Sequence, residues 1–403
     1  MGFLDKRTIV LGVGAGIAAY RACELARLLM KRGAQVRAAM TPNACHFVAP
    51  LTFQALTGHP VLTNLFDPAQ DATFGHLALG RAADLFIVAP ATADLIARIR
   101  GGFADDPVTT ALLASRHKVL LAPAMNTAMW ENRQTQENLR ALLADGRFSS
   151  VGPGVGALAD GDVGAGRLAE PPDIAEAAET LLAPKDLSGW RVVVTAGPTR
   201  EHLDPVRFLS NPSSGRMGYA VARAAAMRGA RVLLVSGPTE LAAPPGVELV
   251  RVTSAEEMAA AVLPKVPSCQ LFVAAAAVAD QRPKERATQK VKKREGEEAL
   301  TLVRTPDVLL SASASTPAEG ARPVLVGFAA ETENVLENAR EKLARKKLDL
   351  VAANDVSDAA GGFASASNRL VLIDRRGQVV RLDMMSKEDA AHALLDRVIA
   401  LRD

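Results

Sequence analysis

The chain has 403 residues, 49% of them apolar, which suits two or three domains with ample cores. A net charge of +3 with only 4% aromatic residues gives no general reason to expect nucleic acid as a partner, though local patches suit small acidic ligands. Cys23, Cys45 and Cys269 lack C-x-x-C spacing, no secretory segment precedes them, and no apolar run approaches the ~18 residues that span a bilayer, so a reducing cytoplasm and no membrane are expected.

In chain order, Thr8 to Leu11 reads as a strand, Gly12-Val13-Gly14-Ala15-Gly16 as a turn, and about Ile17 to Arg32 as a helix. Arg32-Gly33-Ala34 stops that helix before a strand from Gln35 to Met40. Ala18, Ala22, Leu25 and Leu29 fall at helical spacing and face a core, with Cys23 read as a buried small hydrophobe. The glycines run G-x-G-x-G, with Ile17 where a dinucleotide fingerprint needs its third glycine. The next strand ends in Thr41-Pro42-Asn43 rather than an acidic residue, so NAD is disfavoured and a mononucleotide phosphate is not.

His76 follows Thr73-Phe74-Gly75, and the six histidines fall singly, which argues against a structural zinc. The strand Leu85 to Ala89 delivers Pro90-Ala91-Thr92-Ala93-Asp94 at its carboxyl end, where open α/β sheets bind ligands. The strand Lys118 to Leu121 ends in Pro123-Ala124-Met125-Asn126-Thr127-Ala128-Met129-Trp130. An amide buried there would be costly unless it bound something.

GAGIAAY, TPNA, the histidine after Phe-Gly, APATADLIARI and PAMNTAMW together resemble the flavin-dependent phosphopantothenoylcysteine decarboxylases over nearly all of residues 1 to 180. The resemblance implies an FMN-binding half in which hydride removal from the substrate's cysteine creates an electron sink for decarboxylation. It makes His76 an acid/base group, gives Asn126 the substrate carboxylate, and puts Met125 in the same pocket. Gly14, Gly16, Ile17, Ala18, Thr41, Ala91, Thr92 and Ala93 become the flavin candidates. In the family, the flap over this site carries a proton-donating cysteine; here Asp160 stands at that place. Either Asp160 donates the proton as a neutral acid, or the reaction stops at the ene-thiol, or Asp160 is a solvated loop residue.

A boundary falls between Glu170 and Gly189, so the expected domains are 1–183 and 189–403. The second repeats the grammar of the first: a strand from Trp190, a long polar loop from Gly197 to Gly218, a helix from about Met217 to Arg228-Gly229-Ala230, and a strand Arg231 to Val235. Leu271 to Val273 leads into Ala274-Ala275-Ala276-Ala277-Val278-Ala279-Asp280, and the basic run Lys290 to Lys293 reads by composition as a solvated loop. Thr305-Pro306-Asp307-Val308 precedes a strand Pro323 to Val326, and Phe328 follows it. Lys342 and Lys346 share one helix face.

These stretches, with Ser210-Asn211-Pro212-Ser213-Ser214-Gly215, Asn354-Asp355-Val356 and Gly361-Gly362-Phe363, resemble the phosphopantothenate-cysteine ligases from about 190 to 400. The resemblance implies two fused Rossmann-like α/β domains, the first flavodoxin-like. The second would activate 4'-phosphopantothenate with CTP and Mg²⁺, join it to cysteine, and pass 4'-phosphopantothenoylcysteine on. It gives Lys290 acyl-nucleotide formation, Asn211 the intermediate, Asp280 the metal, and the nucleotide to Ala274, Ala275, Ala276, Asp280, Lys290, Thr305, Pro306, Asp307, Val308, Phe328, Lys342 and Lys346. It also implies homo-oligomers, with trimeric contacts in the flavin half and dimeric contacts in the ligase half. A flavin-binding regulatory subunit, the competing reading, would not require the ligase constellation.

Overall fold

Apolar runs of five or six residues are too short to be helices and build the sheets. The computed structural model describes residues 2–66, 75–158, 161–292, 299–316, 322–331, 333–355 and 367–402, and the chain divides into units Met1–Ala183 and Pro184–Asp403. In the first unit, β1 (Thr8–Val13), β2 (Gln35–Met40), β3 (Leu85–Ala91), β4 (Lys118–Pro123) and β5 (Phe148–Ser150) form a parallel sheet in the order β2-β1-β3-β4-β5. This is the flavodoxin-like order, with its switch point between β1 and β3.

Every residue of β3 is buried, because helices cover both sheet faces. They are α1 (Ala19–Lys31), α2 (Pro50–Thr57), α3 (His76–Ala82), α4 (Ala93–Gly101), α5 (Pro107–Leu113), α6 (Thr127–Glu131), α7 (Arg133–Ala144) and α8 (Pro171–Leu182). Strand alternation splits the core. Ile9, Leu11 and Ile87 pack with Leu25, Leu29 and Ile174, whereas Val10, Phe86 and Val88 pack with Ile96, Leu112 and Leu139.

Three sequence expectations shift. The first helix begins at Ala19 rather than Ile17, and Cys23 is only half-buried. β3 does not stop at Ala89: its pairing resumes at Ala91 after a register shift, since Pro90 has no N–H for the ladder. An antiparallel hairpin, β6 (Gly154–Ala157) and β7 (Val163–Arg167), precedes α8.

The second unit's sheet runs β12-β11-β8-β13-β16-β17-β19-β20. β8 (Arg191–Ala196), β11 (Arg231–Ser236), β12 (Val247–Arg251), β13 (Leu271–Ala274), β16 (Val324–Glu331) and β17 (Leu350–Asp355) are parallel; β19 (Leu370–Asp374) and β20 (Val379–Arg381) are added antiparallel. Counted within the unit, the parallel strands follow the Rossmann order 3-2-1-4-5-6. Its helices are α9 (Arg216–Met227), α10 (Ala255–Val262), α11 (Val308–Ala314), α12 (Val335–Arg345) and α13 (Lys387–Arg402). The stretch read from sequence as one long polar loop contains a hairpin, β9 (Arg200–His202) with β10 (Phe208–Ser210). Two further short antiparallel pairs join β14 (Gln281–Pro283) to β15 (Leu302–Arg304) and β18 (Ser367–Asn368) to β21 (Met385–Ser386). Among the described residues no helix is long and apolar enough to cross a membrane.

Arg228, only 3% exposed, ends α9 and ties the unit's first segment to its last helix. Its guanidinium donates to the Asp186 carboxylate at 2.9 and 2.6 Å and to Asp396 at 2.6 Å. The pairing holds Asp186 below the usual carboxylate range. Replacing it by glutamine (Arg228→Gln) leaves both carboxylates short of donors and is expected to cost about 2 kcal/mol. Hydrogen exchange across α9 and α13 of the full chain measures it; unchanged protection there refutes the coupling.

Candidate active sites

In the first unit the turns after β1, β2, β3 and β4 meet at one edge of the sheet. Gly14 is required by proximity: a Cβ there would lie 2.3 Å from the Pro90 carbonyl oxygen and 3.1 Å from Leu95. Gly16 faces Thr92, whose methyl would be 3.8 Å from an added Cβ. The Thr41 N–H donates to Val13 O at 3.1 Å, and the Ala124 N–H to Ala91 O at 3.1 Å, which ties the neighbouring strand ends together. Gly14, Gly16, Ile17, Ala18, Thr41, Ala91, Thr92, Ala93, Met125 and Asn126 therefore occupy one edge, across the switch point.

Two hydroxyls cap the turns there. Thr41 Oγ1 accepts from the Ala44 N–H at 3.3 Å, and Thr92 Oγ1 accepts from the Leu95 N–H at 3.2 Å at the start of α4. Ile17 stands 65% exposed on this edge, outside the unit's core.

Asn126 is half-buried, not buried. Its Oδ1 accepts from the Ala128 N–H at 2.7 Å and caps α6, so the desolvation argument made for it from sequence does not hold. Met125 is held by the hairpin: its N–H donates to Gly166 O at 2.9 Å, and a Cβ on Gly166 would lie 2.2 Å from Met125 O. A Cβ on Gly164 would lie 2.4 Å from Thr127 Oγ1. β7 thus rests directly on residues 125–127. Asp160, on the connection between those strands, lies outside the described residues. His76 opens α3 and is half-buried.

In the second unit a cleft of about 940 Å³ opens at the carboxyl ends of β8, β13, β16 and β17. Asn211, Ala274, Ala275, Ala276, Asp280, Thr305, Pro306, Asp307, Val308, Phe328, Lys342 and Lys346 all line it. The Asn211 amide donates to Val278 O at 3.2 Å, and Thr305 Oγ1 to Ala279 O at 2.5 Å, so the two loops brace each other. Lys342 Nζ donates to Phe328 O at 2.6 Å, and Lys346 Nζ lies 2.8 Å from Asp307. Burial, then the neighbouring Lys346, pulls the Lys342 ammonium below the ordinary lysine range. Burial is the largest single influence on Asp307 and opposes its ionisation, but the Lys346 bond, the Leu310 N–H and the charges of Lys346 and Lys342 together outweigh it and keep that carboxyl below its usual range.

Lys290 does not line this cleft. It is exposed, on a segment tied to the β9–β10 hairpin through Asp204. Fully buried Asp204 accepts from the N–H groups of Val206 and Arg207 at 2.8 Å each, from that of Val291 at 3.2 Å, and from the Arg207 guanidinium at 2.7 Å. These bonds, the backbone donors first, hold its carboxyl far below the usual range. Lys293, Thr332, Val356 and Gly361-Gly362-Phe363 lie outside the described residues.

Sequence reasoning missed several cleft residues, among them Arg216, Asn368 and Lys387. Arg216 sits inside a motif read for its serines and glycine, and Asn368 had no motif around it. Lys387 follows Ser386, which caps α13 by accepting from the Asp389 N–H at 3.0 Å, so it reads as a surface helix start. Among the described residues no group of three or more His, Cys, Asp or Glu is placed to hold a metal ion.

Residues 3–182 match the family described as Flavoprotein, and residues 187–401 match the DNA/pantothenate metabolism flavoprotein C-terminal domain. The chain is 49% identical over 397 residues to the Coenzyme A biosynthesis bifunctional protein CoaBC of Vibrio cholerae serotype O1, covering 98% of each. It is 48% identical over 404 residues to the CoaBC protein of Escherichia coli strain K12, covering 99% of this chain and 98% of that one. Among solved structures, the C-terminal domain of a CoaBC protein aligns at 37% identity and a TM-score of 0.46, covering 54% of this chain and 98% of the other.

Because the Asp204 pKa is depressed by folding, its tether is complete above the ordinary carboxylate range and is lost as pH falls toward the folded value. Asp204→Ala is expected to speed amide exchange at Val291 by about tenfold at neutral pH and leave α9 unaffected. Equal exchange in both proteins would show that the 287–292 segment is held by something else.

Proposed function

Since the chain belongs to the family of bifunctional coenzyme A biosynthesis proteins, we propose that it performs two consecutive steps: CTP-dependent ligation of cysteine to 4'-phosphopantothenate in residues 189–403, then decarboxylation of 4'-phosphopantothenoylcysteine to 4'-phosphopantetheine in residues 1–183. The observation that carries the ligase reading is the convergence of Asn211, Asp280, Asp307, Phe328, Lys342 and Lys346 on one cleft at the carboxyl edge of a Rossmann-ordered sheet.

A carboxylate resists attack by an amine. Its oxygen therefore bonds to the α-phosphorus of CTP, pyrophosphate leaves, and the cysteine amine displaces CMP from the acyl nucleotide and loses a proton. Negative charge grows on phosphate oxygens, which lysines at the cleft stabilise. Lys290 supports acyl-nucleotide formation from the segment anchored at Asp204, and Asn211 orients the intermediate. Asp280 is the cleft carboxylate for Mg²⁺. A single carboxylate suits an ion bound chiefly through the nucleotide's phosphates, so the donor set fits.

The first unit fits FMN. Thr41 and Thr92 cap a short helical turn and a helix at one edge, where N–H groups favour a phosphate, and Gly14, Gly16, Ala18, Ala91 and Ala93 leave space for a planar ring beside Ile17 and Met125. FMN, when bound, supplies the hydride acceptor for the substrate's cysteine side chain. Asn126 holds the substrate carboxylate and His76 moves the proton in the oxidative step. The β6–β7 hairpin covers residues 125–127 and excludes water, with Asp160 as the proton donor in place of a thiol. Exposed Ile17, Tyr20, Leu51 and Phe66 suit contacts between first units in a trimer, and exposed Val206 and Phe208 suit dimer contacts between second units.

The purified protein is expected to be yellow, and with 4'-phosphopantothenate, cysteine, CTP and Mg²⁺ to yield 4'-phosphopantetheine by mass spectrometry. A product two hydrogens short, the ene-thiol, would rule out proton donation by Asp160. His76→Asn should slow decarboxylation by roughly 10²- to 10⁴-fold and accumulate 4'-phosphopantothenoylcysteine, with ligation intact. Asn211→Asp should do the reverse, decarboxylating supplied 4'-phosphopantothenoylcysteine but making none. Loss of both activities in either variant contradicts the division of labour.

A further inference from the structure

In the first unit α1 and α8 pack against one core and are joined by an ion pair at each end. At the end away from the candidate site the pair stands where helix chemistry expects it. Arg32 follows the last turn of α1, where a cation suits the negative helix terminus, and its Nη1 donates to Glu179 at 2.7 Å.

At the site end both partners stand where folding alone would not put them. Arg21 is the third residue of α1, a cation in a positive first turn that holds no acidic residue. Glu170 is the N-cap of α8, yet its carboxylate makes no cap. It accepts instead from the Arg21 guanidinium at 3.2 and 2.5 Å, with the Arg167 guanidinium 3.7 Å away. Glu24 lies 3.8 Å from Arg21, whose side chain is only 16% exposed. The Arg21 bond, against opposing burial, holds the Glu170 carboxyl below its usual range.

These two residues adjoin two parts of the candidate flavin site. Arg21 lies in the first turn of the helix that Ile17 and Ala18 lead into. Glu170 lies three residues beyond the end of β7, and the intervening Leu168 and Ala169 are buried in the core that α1 and α8 share. β7 in turn seats on Met125, whose N–H donates to Gly166 O at 2.9 Å. Contacts therefore run from α1 through Arg21, Glu170 and β7 to Met125.

We propose that Arg21 is a positioning residue for the first unit's reaction: through Glu170 it fixes the base of the β6–β7 hairpin relative to the turn that leads into α1, and so sets how β7 seats on residues 125–127. That the seated hairpin serves a reaction rests on the decarboxylase reading; that Arg21 seats it does not.

The test follows amide exchange at Met125 in the full chain, because that N–H is released when β7 lifts. Arg21→Gln and Glu170→Gln should each speed it by about fivefold, and the double variant by no more than either alone, since each single change already breaks the pair. Arg32→Gln breaks the matching pair at the other end of the same helices and should leave Met125 at the wild-type rate. Unchanged exchange in Arg21→Gln, additive effects in the double variant, or equal acceleration in Arg32→Gln overturns the proposal, the pair then serving only to pack α1 on α8. Should Arg21→Gln not fold, Glu170→Gln, at a side chain 54% exposed, decides alone. In the same variants decarboxylation of supplied 4'-phosphopantothenoylcysteine should lose about threefold in kcat, with KM and bound flavin unchanged. A fall in bound flavin would make Arg21 part of the flavin's own site and overturn the positioning role. A wild type that decarboxylates nothing would instead sink the decarboxylase reading and leave the exchange result standing.

Discussion

A parallel strand cannot turn directly into its parallel neighbour, and this constraint arranges both halves of the chain. Each crossover carries the chain back along a helix, so every strand discharges its loop at the same edge. In the first unit that edge collects the turns after β1, β2, β3 and β4; in the second it collects the ends of β8, β13, β16 and β17. The apolar interior of each sheet serves mainly to hold those edges still.

The two edges solve different problems. In the first unit the turns touch, and small residues allow it: Gly14 against Pro90, and Gly164 and Gly166 against Thr127 and Met125. Backbone approaches backbone so closely that any side chain would force the strands' turns apart. The result suits a flat ring and a substrate carboxylate under a hairpin. In the second unit the loops stand back around about 940 Å³, and charge does the organising. Asp307 and Lys346 pair, Lys342 holds a carbonyl, and Arg216 and Lys387 add further positive charge to the lining.

Asp204 links these levels within the ligase unit. One buried carboxylate closes the β9–β10 hairpin and holds the segment bearing Lys290 through the Val291 N–H. Lys290 itself is exposed, so its anchorage comes from its neighbours in the chain rather than from its own contacts.

The sequence by itself determined the two-unit α/β architecture, because short β-branched runs alternating with Ala- and Leu-rich helices admit few other layouts, and motifs such as PAMNTAMW and APATADLIARI carried the family. It also marked most of the ligase cleft, since strand ends and the residues after them are readable as local patterns. Only the tertiary structure decided the rest. Asn126 turned out to be a half-buried helix cap, a distinction that depends on what packs around it. β3 continued past Pro90 because a neighbouring strand was there to resume the ladder. Lys387 and Asn368 became cleft residues because an antiparallel pair, β18 with β21, returns the chain to the start of α9, a contact between residues more than 150 positions apart. Local patterns encode what a segment is; burial and convergence belong to the packed chain, and no short stretch of sequence contains them.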